Sequence, residues 1–438
     1  MTKLLLVVLA GVGAYAFGSL LLTGTFSGFA AIGRTKQPTT ARADRLVARG
    51  RNVFRYDTFG DQAVWGGVLG LHKAIEGAKL GGVGGGVSPK TALALGLKVD
   101  STKIPAKVAA AIKARKVNLD DPAVTVTLLK LNAVVGVRGF FSKQGKLGSV
   151  GITCAVCHST VDNSFAPGIG RRLDGWPNQD LNVGAIVAAA PNLKPLEDAL
   201  HANEATVKKV LLGWGPGFFN AELNLDGKAL GPDGTSHSAA TRIPSAFGKD
   251  GQNLHTWEGG WGSVTYWNAF VANLEMHGQG NFFDPRLDDK ARFPIAAAAR
   301  FGHTRPYVGE GVLPVPAKAQ APDRVTEALR ALDFYQHALP VPRPPKSSFD
   351  AAAARRGRQV FYGQGRCGSC HMGSLGSAPG YNAVRPSAIC TDSFAADRGP
   401  DGTYTIAPLQ ALFTRSKRGF YHDGRFKTLL DVVNHYDS

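Results

Sequence analysis

Two pentapeptides carry the most distinctive chemistry in the chain. Cys154-Ala155-Val156-Cys157-His158 and Cys367-Gly368-Ser369-Cys370-His371 both read C-x-x-C-H. This spacing lets two thiols add across the vinyl groups of one porphyrin while the adjacent imidazole binds its iron. The motifs therefore predict two covalently bound c-type haems. Cys154, Cys157, Cys367 and Cys370 would form the thioethers, and His158 and His371 would be the proximal ligands. A thioredoxin-like redox pair or a zinc knuckle needs no His directly after the second Cys, and no other paired cysteines complete a four-thiol zinc site. The fifth cysteine, Cys390, is left over and is expected to be a buried, unreactive thiol.

The surrounding elements must hold these motifs in place. Ser348 or Asp350 can cap a helix through AAAARRGRQVF that leads into the second motif. Before it, HALPVPRPPKSSFD (337–350) has four prolines and reads as an extended connector. KVAAAIKARKV (107–117) and VTVTLLKLNAVV (124–135) have helical periodicity. LGGVGGGVSP (80–89) lacks the Lys-Ser/Thr ending of a phosphate loop and reads as a linker. No run of alternating strands stands out, so the fold is expected to be mainly α, with two cytochrome c-like haem domains, a Gly-rich, loop-rich insertion and an N-terminal extension. The expected boundaries are an export segment at 1–33, the extension at 34–134, a first haem domain at 135–337, the Pro-rich linker at 338–349 and a second haem domain at 350–438.

Composition and the N-terminus narrow the class. With 438 residues, 44% hydrophobic and 19% charged, the chain is long enough for more than one domain and is globular in character. Fifty-four glycines, well above the usual ~7%, point to many loops. After Met1-Thr2-Lys3 no charge occurs until Arg34. That pattern is either a cleaved signal, with Ala14-Tyr15-Ala16 as its small-residue site, or a single membrane anchor. Both place the bulk of the chain outside the cytoplasmic membrane, in the periplasm, where c-type haem is installed. The net charge of +17 suits an acidic redox partner or an anionic membrane surface. Export and haem argue against nucleic acid.

Three further stretches make the chain resemble the di-haem cytochrome c peroxidase family, which includes MauG-type enzymes. They are VGVRGFFSKQGKLGSVGITCAVCHS (135–159), TRIPSAFGKDGQNLHTWEGGWGSVTYWNAFVANLEM (241–276) and YTIAPLQALFTRSKRGFYHDGRFKTLLDVVNHYD (404–437). The resemblance covers about residues 135–438 and is most specific in the third stretch. It implies a reactive, peroxide-binding haem at the first motif and an electron-transfer haem at the second. It further implies that Trp257 lies between them and that Glu275 acts as general acid/base on the peroxide proton. Where the family has a Gln above the reactive haem, this chain has Trp267, with Asn268 adjacent. That departure weakens the case for peroxidase turnover and would suit oxygenase-like or MauG-like chemistry. The family's calcium site uses an Asn where Arg242 stands, so calcium is not carried over.

The distal ligands remain open in the sequence. Counting fourteen residues from His422, as the family does, reaches Tyr436, with His435 beside it. Ligand strength favours His435 and position favours Tyr436, and only one of two successive helical residues can face an iron. Met276 is a further possibility, and His255 and His277 stand in reserve. Family members usually continue with another helix past the position of Ser438. The leading expectation is a periplasmic di-haem oxidoreductase that reduces peroxide with electrons from a small acidic redox protein or a quinol-linked donor. The alternatives are a non-catalytic electron carrier and an oxidase of the MauG or rubber-oxygenase type.

Overall fold

The computed structural model describes residues 38–249, 251–304, 323–373, 376–378 and 383–437. The expected export segment at 1–33 lies outside these residues, and among the described ones no helix is long and apolar enough to cross a membrane. The chain divides into two units, Met1–Ala41 and Arg42–Ser438, and the second contains both C-x-x-C-H motifs. Helix accounts for about 46% of the described residues, and the described strands form six two-stranded ladders. The fold is mainly α.

Helix Thr326–Ala338 shows how pattern becomes packing. Ala328, Ala331, Leu332, Tyr335 and Gln336 are its buried residues, the i, i+3, i+4, i+7, i+8 stripe of a one-sided helix. It crosses helix Pro38–Tyr56 at Gly50, where an added Cβ would stand 1.8 Å from the Ala331 carbonyl oxygen. Only glycine permits that approach. The Phe54 and Tyr335 rings meet edge to face at 5.5 Å across the same contact.

The two helices expected before the first motif form as Ala106–Lys113 and Pro122–Lys130. Asp121 caps the second by accepting from Ala123 N–H at 3.0 Å. The largest core joins Val64, Leu69, Leu128 and Leu129 to Leu147, Val150, Val207 and Leu211. The segment before residue 135 therefore shares a core with the first motif's surroundings. A second cluster gathers Phe54, Phe59, Ala155, Phe247, Met276 and Leu332.

Local chemistry also shapes the approach to the second motif. Of the two expected caps, Asp350 is the one used, accepting from the backbone N–H groups of Ala352 and Ala353 at the start of helix Ala351–Tyr362. Apart from a short turn at Lys346–Ser348, residues 340–349 are neither helix nor strand, as the prolines predict.

Candidate functional site

The first motif is held by short elements on both sides. Strands Val137–Phe141 and Leu147–Ile152 form an antiparallel hairpin that ends just before Cys154. Helix Ala155–His158 follows and passes into strand Ser159–Val161, paired with Arg172–Asp174. Thr153 N–H donates to the Gly136 carbonyl at 3.0 Å. Gly136 has φ +75°, and a Cβ there would lie 2.1 Å from the Val156 nitrogen. The motif helix thus rests directly on a turn that needs glycine.

His158 Nδ1 lies 2.9 Å from the Pro244 carbonyl oxygen. A carbonyl only accepts, so Nδ1 carries the proton and Nε2 keeps the lone pair that can bind a metal. Burial pushes this imidazole down to about 4, which keeps it neutral. Cys154, Cys157 and His158 open onto a cavity holding about 1230 Å³ of space outside protein atoms, counted to its mouth. Aliphatic groups such as Ile152, Val156, Leu181 and Val187 line much of it. Trp267, Asn268, Glu275 and Met276 supply another wall, and Trp65 and Leu71 reach in from the segment before the motif.

Two π-helical turns meet at this cavity, Ala63–Val68 and Val271–Glu275. Trp65 Nε1 joins them by donating to the Met276 carbonyl at 2.9 Å. Such turns place an extra residue per turn and are frequent at functional sites. Glu275 ends the second one. It is deeply enclosed, and its Oε1 has no hydrogen-bond partner. Burial, and then the charge of Glu222, raise its carboxyl well above the ordinary value. A carboxyl shifted upward in this way holds its proton more tightly than an ordinary glutamate.

Sequence reasoning missed Gln336. Its Oε1 accepts from Asn268 Nδ2 at 2.7 Å, and both amides line the cavity. The available signal was a polar residue on the otherwise apolar stripe of helix Thr326–Ala338. Trp267, which stands where an amide was expected, stacks on Phe270 at 4.7 Å and 11°.

Trp257 lies in a smaller adjoining cavity of about 420 Å³. Its Nε1 donates to the Arg242 carbonyl at 2.9 Å. That cavity shares Pro244, Ser245, Lys249, His255 and Thr256 with the larger one, and its far wall includes Ala407. Pro244 holds His158, and the Ala407 backbone contacts His371. Trp257 therefore lines a cavity bounded by supports of both motif histidines.

The second motif sits in a more open setting. Cys367 and Cys370 are exposed, and His371 Nδ1 lies 2.8 Å from the Gly376 carbonyl, so its Nε2 is likewise the lone-pair nitrogen. Helices Ala351–Tyr362 and Leu429–Asp437 bury none of their side chains, and Val360, Tyr362, Leu430 and Tyr436 are exposed. The structure separates the two ligand candidates. His435 Nε2 is 2.9 Å from the Ile389 carbonyl and its ring is 4.8 Å from Phe426. Tyr436 is more than half exposed; partial burial raises its phenol, a hydrogen bond with Tyr421 lowers it, and the Cys370, Cys367 and Cys390 thiols raise it again.

The remaining candidates also have definite places. Met276 and His255 line the first cavity; His255 Nε2 is 3.2 Å from the Gln252 carbonyl. His277 lies against Trp65, ring centroids 6.1 Å apart. Cys390 corrects an expectation. It is exposed rather than buried, because it ends the short helix Pro386–Ile389 in a left-handed turn at the surface. Arg242 is buried, and its guanidinium donates to the carbonyls of Tyr421 and Arg415. Asp392, His422 and Asp423 bring three potential ligand atoms within 4.8 Å. Arg425 bonds both carboxylates, however, and offsets one of their two charges.

No protein-family model, no curated protein and no solved structure matches the chain. The functional reading therefore stands on the residues and their geometry.

Proposed function

We propose that the protein is a periplasmic di-haem c-type oxidoreductase that reduces hydrogen peroxide at the first motif with electrons entering at the second. One observation carries this reading. Each C-x-x-C-H histidine sets Nδ1 against a backbone carbonyl, Pro244 for His158 and Gly376 for His371, so that Nε2 is the nitrogen available to a metal. That arrangement fits a c-type haem, and a zinc or redox dithiol site does not require it. Cys154, Cys157 and His158 would hold one haem, and Cys367, Cys370 and His371 the other, with His435 and Tyr436 the distal candidates at the second. Bound there, haem supplies the one-electron centre and the iron at which peroxide can be activated.

The protein's own groups do the rest. Aliphatic walls exclude water around the first site. Glu275 holds a proton at its carboxyl, and peroxide reduction consumes two protons and two electrons. The Asn268–Gln336 amide pair offers hydrogen bonds that can orient a small polar substrate. Trp257 provides an aromatic ring between the two sites. The electron donor is proposed to be a small acidic redox protein or a quinol-linked carrier, drawn to the basic chain.

An oxidase of the MauG or rubber-oxygenase type is the second reading, favoured by the apolar lining and by Trp267. Absorption and spin-state spectra of the holoprotein test the proposal. A five-coordinate, high-spin ferric signal that changes on adding peroxide is expected. Two low-spin haems inert to peroxide and carbon monoxide would sink the enzyme reading and leave an electron carrier.

A further inference from the structure

The cavity beside Trp257 contains more positive charge than the protein balances. Lys249 and Arg415 both line it, and Arg242 is buried next to Arg415. Among the described residues, no carboxylate forms an ion pair with Lys249 or Arg415. Arg415 is 8% exposed and donates from Nη2 to the carbonyls of Pro408 and Gln410, while its Nε is buried without a partner. Burial, and then the like charge of Arg415, push the Lys249 ammonium down to about 8. Burial alone pushes the Arg415 guanidinium down to about 10.

Buried charge without a counterion costs several kcal/mol per ion. Arg415 is such a group and the half-buried Lys249 is a second cation on the same cavity, so the site favours a guest that brings negative charge. Lys249 also lines the larger cavity, and its charge acts on the His158 imidazole. A haem attached at Cys154 and Cys157 would carry two propionate carboxylates on the porphyrin edge away from the thiols, and Lys249 supplies a cation to the cavity those thiols open onto.

We propose that Lys249, on the wall shared by the two cavities, and Arg415, on the wall of the smaller one, form a carboxylate site for the propionates of the haem at the first motif. The inference rests on the haem reading given above. In the purified holoprotein, haem content is measured first by pyridine haemochrome; absence of haem in the wild type overturns both readings. With two haems per chain, Lys249→Met is expected to move the propionate-bending band in resonance Raman spectra. It should also lower the first haem's midpoint potential, because a nearby cation stabilises the reduced, more negative state. The expected size is about tenfold in the one-electron equilibrium, about 59 mV. Lys249→Arg should restore both signals. If Lys249→Met fails to mature, Lys249→Gln gives the same readouts.

An unchanged propionate band in a fully loaded Lys249 variant overturns the proposal. An acetate titration separates the other source of carboxylate. Saturable binding to the wild type that the Lys249 variant loses, with the propionate band unmoved, would assign the site to a free carboxylate and also overturn it.

Discussion

At the scale of single residues, two carboxyls with a shielded, unpartnered oxygen make the sharpest predictions. Glu275 ends a π-helical turn on the cavity wall with an unpartnered oxygen, so removing its acidity without changing its size isolates proton transfer. Glu275→Gln should lower peroxide turnover by about 10²–10⁴-fold with haem content unchanged. Stopped-flow assays of the loaded protein check this, and near wild-type turnover would remove Glu275 from the chemistry. Glu258 lies behind it, 2% exposed, with Oε1 unpartnered. Burial, then Glu222, raise its carboxyl well above the ordinary value. An unfolded Glu titrates near ~4.3, so above that pH the folded state keeps a proton that the unfolded chain has lost. The associated stability is full below that value and is lost as pH rises through the raised folded one. Glu258→Gln should therefore flatten the fall in Tm with rising pH. Parallel Tm curves for variant and wild type would show that Glu258 is not held protonated.

Short elements make the site, and their joints are exposed to test. The hairpin Val137–Phe141 and Leu147–Ile152 delivers the first motif, and its entry depends on Gly136 in a left-handed conformation against Val156. Gly136→Ala adds about 1–2 kcal/mol of backbone cost and a clash with backbone that cannot move aside. Gly145 at the hairpin tip is also left-handed, but an added Cβ there meets only the Lys130 Nζ at 3.1 Å. Gly136→Ala should therefore lower both Tm and haem loading at the first motif, and Gly145→Ala should lower Tm less and leave loading intact. Equal losses would mean that the close approach at Gly136 does not position the motif. The periodic stripe of helix Thr326–Ala338 was legible in its residues. Which of its neighbours would receive Gln336 was not, because Asn268 lies 68 positions away in the chain.

For the molecule as a whole, one buried ion pair ties distant parts of the chain together. Arg398 and Asp226 pair through two bonds of 2.7 and 3.0 Å, each side chain 1% exposed. The guanidinium also donates to Asn220 Oδ1 at 2.7 Å and to the Ala239 carbonyl at 2.9 Å. Arg398→Met would leave Asp226 charged and unpaired, with Glu222 and Glu258 nearby, and should cost about 3–5 kcal/mol. Denaturant unfolding measures it; a loss below about 1 kcal/mol, the range of an exposed pair, would show that the pair is not buried in solution. Arg398→Lys should recover little, because a point charge cannot replace the two-pronged contact.

The sequence by itself determined the features carried by neighbouring residues. Two thiols and an imidazole within five positions are brought together by covalent geometry, and Asp350 caps a helix whose first N–H groups are two and three residues away. Those relations survive whatever the rest of the chain does. Tertiary structure decided which way side chains face. His435 and Tyr436 are adjacent in sequence, yet His435 Nε2 meets the Ile389 carbonyl while the Tyr436 phenol meets Tyr421. The same holds for Trp65 reaching the first cavity, for Cys390 at the surface, and for Lys249 meeting Arg415 with no carboxylate between them. Each depends on segments tens to hundreds of residues apart, whose approach is set by burial of apolar faces rather than by local spacing.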